Sequence, residues 1–280
     1  MRIDSHQHFW QLARGDYSWM TPEQTALYRN FWPEDLAPLL QRYGITGTVL
    51  VQAAETVAET EFMLSLAEQH SFIQAVVGWV DFASPQAVAE IERLSRHPKL
   101  VGLRPMIQDI PDVNWMLKPE LEPAFAAMQA CGLRFDALLK PIHLSVFTEF
   151  LQRYPTLPIV IDHGAKPQIR QRPFSQAFDS WAAHMQTISQ EARVHCKLSG
   201  LITEAATDWQ AEDIFPYMDH LYDCFGPDRL LWGSDWPVSL LAGGYDPWWN
   251  CTQQWAEKLN DEQREKLLGY NAMQFYGLTP

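Results

Sequence analysis

Arg2-Ile3-Asp4-Ser5-His6-Gln7-His8-Phe9 opens the chain with Asp4, His6 and His8 spaced two residues apart. On an extended strand, residues two apart project from one face, so both imidazoles would reach a single ion or substrate atom. Neutral imidazole is a common zinc ligand and the side chain best suited to proton transfer near neutral pH. The pattern therefore predicts a functional site on the first strand. A strand cap or a solvated ring would explain a lone histidine, but it explains a pair beside an aspartate less well.

Working outward, similar short β-branched and apolar runs recur along the chain. They predict strands at Ile3 to Phe9, Thr46 to Ala53, Ile73 to Val80, Val101 to Ile107, Arg134 to Leu139, Pro158 to Gly164, Val194 to Gly200 and Arg229 to Asp235. Helical periodicity lies between them: Pro33 to Tyr43, Thr56 to His70, Pro85 to Arg96, Glu120 to Cys131, Leu144 to Tyr154, Ser175 to Glu191, Trp209 to Phe225 and Pro247 to Lys258, with Asp261 to Tyr276 closing the chain. Pro33 and Pro85 suit a first helical turn, where a missing N–H costs nothing. Alternating strands and helices imply parallel pairing. Eight such units predict a single-domain (β/α)₈ TIM-type barrel over residues 1–280, with a doubly wound open sheet as the second choice. In the barrel, polar residues at the C-terminal ends of strands carry the chemistry. The aromatic connection from Gln11 to Trp32 is the candidate lid or pocket wall.

Composition narrows the function. The 280 residues are 47% hydrophobic and carry a net charge of −13, from 34 acidic against 21 basic side chains. No Lys/Arg cluster would track a phosphate backbone, which argues against nucleic acid and anionic membranes as partners. Cys131, Cys196, Cys224 and Cys251 form no Cys-x-x-Cys pair and suit reduced thiols. No basic and apolar leader precedes the first strand and no apolar run is long enough for a bilayer, so the expected location is cytoplasmic. Whether the chain forms a homo-oligomer is left open.

The predicted strand ends collect polar residues: His6 and His8; Gln52; Arg104; Asp162 and His163, with Lys166 just beyond; Lys197; and Asp235. A carboxylate on the last strand beside imidazoles from the first can hold a metal or deprotonate a water, so Asp235 is the strongest single candidate. Its alternative is a turn cap before Trp236-Pro237. His163 alone could be a core histidine; with His6 and His8 it becomes a third converging imidazole. Arg104 could pair with Asp109 or Asp112, but its apolar neighbours favour the barrel mouth, where a guanidinium grips a carbonyl or carboxylate in a fork. Lys166 and Lys197 carry less weight, because a lysine after a strand is usually solvated. Trp10, Trp19, Trp32, Trp79 and Trp236 fall near strand-end loops, where flat faces suit a ring-shaped substrate.

Taken together, Asp4 to Trp10, Val76 to Asp81, Val101 to Arg104, Ile161 to Pro167, Cys196 to Gly200 and Trp232 to Pro237 resemble the amidohydrolase superfamily over essentially the whole chain. Within it they are most similar to the amidohydrolase-related lactonase branch, which includes L-fuconolactonases and 2-pyrone-4,6-dicarboxylate lactonases. The resemblance implies a barrel that opens a lactone by attack of water on the carbonyl. Asp235 would be the base and then the proton donor to the leaving alkoxide. His6, His8 and His163 would polarise the carbonyl directly or through a metal, and Arg104 would hold the lactone. No bridging lysine or glutamate stands out, Lys140 being only a loose candidate. The implied cofactor is at most one divalent ion, zinc first, on His6, His8 and Asp235, with a metal-free route also open.

Gln52, Arg104 and Lys166, with Trp79 and Trp32 as flat walls, describe a pocket for a polyhydroxylated ring. The expected substrate is a small aldonolactone, L-fuconolactone or a near relative, in preference to a pyrone dicarboxylate. The alternatives are a metal-dependent decarboxylase or amide hydrolase on the same barrel, or a catalytically silent binding barrel.

Overall fold

The computed structural model describes residues 1–171 and 175–279. Eight strands run in chain order around one sheet: β1 Ile3–Gln7, β2 Gly47–Val51, β3 Ile73–Gly78, β4 Leu100–Leu103, β5 Arg134–Ala137, β6 Ile159–Ile161, β7 Val194–Leu198 and β8 Leu230–Trp232. Each pairs in parallel with the next. The ring closes between β1 and the segment after β8, where Asp235 N–H donates to His6 O at 2.8 Å and His8 N–H donates to Trp236 O at 2.7 Å.

Helices α1 Pro33–Tyr43, α2 Val57–Gln69, α3 Ala87–Leu94, α4 Glu122–Ala130, α5 Leu144–Arg153, α6 Gln176–Ile188, α7 Ala211–Phe225 and α8 Tyr245–Ala256 return the chain between strands or follow the last one. The two-residue strand period sorts the core. Val49, Val51, Ala75, Val77, Val160 and Leu231 fill the barrel interior, while Leu50, Val76, Ile159, Ile161, Leu230 and Trp232 pack against the helices.

The strands start close to where the sequence predicts them, but they end two to four residues earlier. The residues expected at their C-terminal ends have left the hydrogen-bonded sheet and form the loops of the mouth. Pro85 lies in a turn two residues before α3 rather than in its first helical turn. The closing helix is also broken, into α9 Asp261–Glu265 and α10 Asn271–Tyr276, with a π-type turn over Lys266–Tyr270. At the break a Cβ on Gly269 would overlap the Met1 carbonyl oxygen, so the turn lies against the backbone of Met1 and Arg2, just before β1. Past the break, α10 places Ala272, Phe275 and Tyr276 in the interior cluster with Ile3, Val101 and Val160. No helix among the described residues is long and apolar enough to cross a membrane.

Candidate active site

β1 delivers His6 near its end and His8 just beyond it. Their rings meet edge-on with centroids 4.9 Å apart, and His163, in the turn after β6, brings its ring to 4.4 Å from that of His6. Asp235, past the end of β8, faces all three. Its Oδ1 lies 3.4 Å from His8 Nε2 and 3.8 Å from the Nε2 atoms of both His6 and His163. Asp4 does not join this cluster. Its Oδ1 accepts the backbone N–H groups of His6 (3.2 Å) and Ser234 (2.8 Å), tying β1 to the loop that carries Asp235.

Two of these side chains are aimed by unusual backbones. His163 and Asp235 both have φ of 53°, in the left-handed region that non-glycine residues seldom occupy. Each turn swings a side chain from the strand end into the mouth. Gly200, with φ of 59°, leaves the space they need: a Cβ there would sit 2.5 Å from His163 Nδ1 and 3.0 Å from Asp235 Oδ2.

Neighbouring acceptors and donors hold each ring in place. His8 Nδ1 is 2.7 Å from Val51 O, and a carbonyl only accepts, so Nδ1 carries a proton, while Nε2 lies 3.4 Å from Asp235 Oδ1. His6 stands between two cations, with Nε2 3.3 Å from Arg104 Nη1 and Nδ1 3.1 Å from Lys197 Nζ and 3.3 Å from Asp162 Oδ1. His163 Nδ1 bonds Ser199 Oγ at 2.9 Å. Burial drives the His6 pKa well below its ordinary value and that of His163 down to about 4, so both rings are neutral at neutral pH. Burial would raise the pKa of Asp235, but the imidazoles, His163 foremost, pull it below the usual carboxylate range. The centre is thus one buried carboxylate facing three imidazoles.

Fixed charges lie around and beneath it. Arg104 is buried, with Nη1 3.3 Å from Asp162 Oδ2 and Nη2 donating to Gln52 O. It pairs with neither Asp109 nor Asp112 on the surface. Gln52 Nε2 donates back to Arg104 O at 2.7 Å, so Gln52 braces the arginine from outside the cavity. Lys197, expected to be solvated, is instead fully buried: Val194, Cys196 and Leu198 of β7 pack outward, and the alternation turns Lys197 inward. Its Nζ lies 2.6 Å from Asp136 Oδ2 and 3.1 Å from both Asp162 Oδ1 and His6 Nδ1. Asp136, in the middle of β5, also accepts the Tyr276 O–H at 2.7 Å. Sequence reasoning passed over Asp136, although a lone charge inside Phe135-Asp136-Ala137 was the available signal. Burial pushes the Asp136 pKa up to about 6 despite Lys197. Burial opposes ionisation of Asp162 too, but Lys197, His6 and Arg104 more than offset it and hold its carboxyl well below the usual range.

A cavity of about 240 Å³ opens above the cluster, lined by His8, His163, Asp235, Arg104 and Lys166. Met106, Leu138, Val238 and Leu241 form an apolar side, and Trp19 and Gln24 reach in from the β1–α1 connection, as that aromatic stretch suggested. Lys166 is half-buried, with Nζ 3.7 Å from Glu204 Oε1. Trp32 and Trp79 are not among the lining residues. Trp32 sits at the start of α1 and packs edge-on against Phe62, 6.0 Å between centroids, while Trp79 is tied through its backbone N–H to Thr60 Oγ1 at 2.8 Å.

Among the described residues, two sets of side chains could hold a cation: His6, His8 and Asp235; and His6, Asp162 and His163, each with ligand atoms within 4.8 Å of one another. Ligands of a tetrahedral zinc stand roughly 3.3–3.5 Å apart. The 3.4 Å His8–Asp235 spacing meets this, and the 3.8 Å spacings need only small adjustment. In the second set Asp162 is already committed to Lys197 and Arg104.

The family model described as "Amidohydrolase" matches residues 3–278. The chain is 46% identical to an L-fucono-1,5-lactonase from Burkholderia ambifaria, over 98% of this chain and 95% of that protein. It is 36% identical to an L-fucono-1,5-lactonase from Burkholderia multivorans, over 99% and 96% respectively. The structure superposes over the full length of both chains on a crystal structure of an amidohydrolase from Burkholderia multivorans with bound zinc, with a TM-score of 0.94 and 37% identity.

Proposed function

The chain belongs to the amidohydrolase family, and from that membership we propose that it hydrolyses the ring ester of a sugar lactone, with L-fucono-1,5-lactone or a close stereochemical relative as substrate. The observation that carries this reading is the Asp235 carboxylate set opposite three imidazoles and a buried guanidinium, which puts a base and an electrophile at one point. The cavity takes one small ring, and its mixture of an apolar side with Arg104, Lys166, Gln24 and Gln108 suits a polyhydroxylated one. A decarboxylase or amide hydrolase is not favoured, since the two full-length relatives above are named lactonases.

Asp235 accepts the proton of a water as the oxygen attacks the lactone carbonyl. Charge then develops on the carbonyl oxygen, where the Arg104 guanidinium supplies a fixed positive charge at the cavity wall. Asp235 returns its proton to the ring oxygen as the C–O bond breaks, giving the open-chain aldonate. His6, His8 and His163 hold Asp235 and the water in register, Gln52 steadies Arg104, and Lys166 meets a substrate hydroxyl or the new carboxylate at the rim. Trp32 acts only through packing behind the cavity. A zinc ion on His6, His8 and Asp235, when bound, would polarise the carbonyl and lower the pKa of its water. One divalent ion per chain is the maximum, because Lys197 and Arg104 already neutralise Asp162 in the second set. The four unpaired cysteines support residence in a reducing compartment such as the cytoplasm.

The test is a panel of aldonolactones and one pyrone dicarboxylate, followed with a pH indicator with and without chelator. Acid release from L-fucono-1,5-lactone well above the spontaneous rate supports the reading. Turnover of the pyrone with no action on any aldonolactone overturns it, and two tightly held metals per chain would overturn the single-ion limit.

A further inference from the structure

The β1–α1 connection leaves the barrel at Trp10 and returns at Phe31, where the two residues exchange backbone hydrogen bonds of 3.1 and 3.0 Å. Residues 11–30 therefore form a closed excursion, and it carries Trp19 and Gln24 to the cavity. The excursion is held against the barrel by side chains centred on Glu59, in the first turn of α2. Glu59 is fully buried. Its Oε2 accepts the Tyr17 O–H at 2.8 Å and lies 3.5 Å from Arg14 Nε, while Oε1 accepts the Ala53 N–H at 3.1 Å. Asp16 Oδ2 ties the same turn down, accepting from Arg14 Nη2 at 2.5 Å and from Thr56 Oγ1, the α2 cap, at 2.7 Å. On the cavity side, the Trp19 indole N–H donates to Ala53 O at 2.7 Å. One carboxylate thus grips the Ala53 peptide from behind and the excursion through Tyr17, and the Trp19 ring hangs from the carbonyl of the residue it grips.

We propose that Glu59 is a positioning residue for the lactone-opening reaction: it fastens the 11–30 excursion and the end of β2 to α2, so that Trp19 stands as a fixed wall against the substrate ring. The proposal rests on the lactonase reading. A carboxyl in this place is expensive for the fold, since burial pushes the Glu59 pKa up to about 7. Packing alone would be served as well by an apolar side chain. What an apolar side chain would not supply is simultaneous acceptance from Ala53 N–H and Tyr17 O–H, with a negative charge beside the Arg14 guanidinium.

The experiment compares Glu59→Gln and Tyr17→Phe with the wild type at pH 8, where the Glu59 carboxylate is mostly ionised. Hydrogen–deuterium exchange is expected to accelerate across residues 11–30 in both variants and to stay unchanged in the strands, with Tm held within about 2 °C. With L-fucono-1,5-lactone, KM should rise about tenfold while kcat stays within about threefold, the size of one weakened charged hydrogen bond. Added to Trp19→Ala, either substitution should raise KM little further, because the wall it positions is gone. The proposal is overturned if exchange over 11–30 is unchanged, if the KM effects add fully to Trp19→Ala, or if kcat and Tm fall together. Should Glu59→Gln fail to fold, Tyr17→Phe decides alone, since it removes a single hydroxyl. A wild-type chain inert towards every aldonolactone would sink the proposed function, and the exchange measurement would still decide the fastening.

Discussion

Replacing Lys197 with methionine keeps most of the stem and deletes the charge on which the site rests. In the native barrel Nζ lies 2.6 Å from Asp136 Oδ2 and 3.1 Å from Asp162 Oδ1, with all three side chains fully buried. Breaking a buried pair costs about 3–5 kcal/mol, because the stranded partner stays desolvated. Two carboxylates are stranded here, but Asp162 keeps Arg104 at 3.3 Å, and Asp136, already at about 6, can take up a proton. The cost therefore falls near the lower end, about 3 kcal/mol, and at roughly 2 °C per kcal/mol for a chain of this length Tm drops about 6 °C. The pH dependence has a fixed sign. Above the native Asp136 pKa the variant holds a proton that wild type does not, and the unfolded chain holds none in either case. The stability gap should therefore widen as pH rises above about 6, by about 1.4 kcal/mol per unit. Calorimetry at pH 6, 7 and 8 measures this. Asp136→Asn added to Lys197→Met should recover most of the loss, since the amide oxygen still accepts the Tyr276 O–H. A Tm shift under about 2 °C that does not change with pH would refute the reasoning.

Two further outcomes follow from the mouth. Arg104→Lys should lose about ten- to a hundredfold in kcat/KM, and Arg104→Ala at least as much, because an ammonium cannot serve His6, Asp162 and the Gln52 carbonyl together. If both variants instead lose equal Tm and keep their kinetics, Arg104 is structural. Activity should hold from neutral pH to about 5 and fall below about 4: the His163 pKa is lowered to about 4, so its ring gains a proton only there, while Asp235 stays ionised. The same depressed pKa means that the His163 contribution to stability is complete above its ordinary 6.5 and is lost as pH falls through about 4. An acid limb near 6.5 would contradict the burial of the cluster.

The barrel was legible because its strands are short apolar runs with turn-rich ends and each is followed by a periodic helix. The sites of failure share one physical cause: sequence pattern reports which residues are apolar, and not how the backbone bends where strands end. His163 and Asp235 adopt left-handed φ, so the predicted strands overran just where the side chains turn into the mouth. Lys197 was discounted on the general solvation of lysine, but its strand's outward residues leave it no direction except inward, against Asp136 and Asp162. Asp136 shows in the sequence only as a lone charge in an apolar strand; its partners, Lys197 and Tyr276, are distant in sequence and meet it only inside the closed barrel. Among the tryptophans near strand ends, composition could not say which ring faces the cavity. A single indole bond to Ala53 O sends Trp19 there, whereas Trp32 is held by Phe62 and the start of α1.

The central claim is that Asp235 is the base for opening a sugar lactone, and the most direct test is the hydrolysis rate of L-fucono-1,5-lactone by the wild type and by Asp235→Asn, measured side by side above the spontaneous rate. The amide is nearly isosteric but cannot accept the proton, so the account predicts rapid turnover by the wild type and a loss of about two to four orders of magnitude in kcat with Tm preserved. Near-normal turnover by the asparagine variant would contradict it.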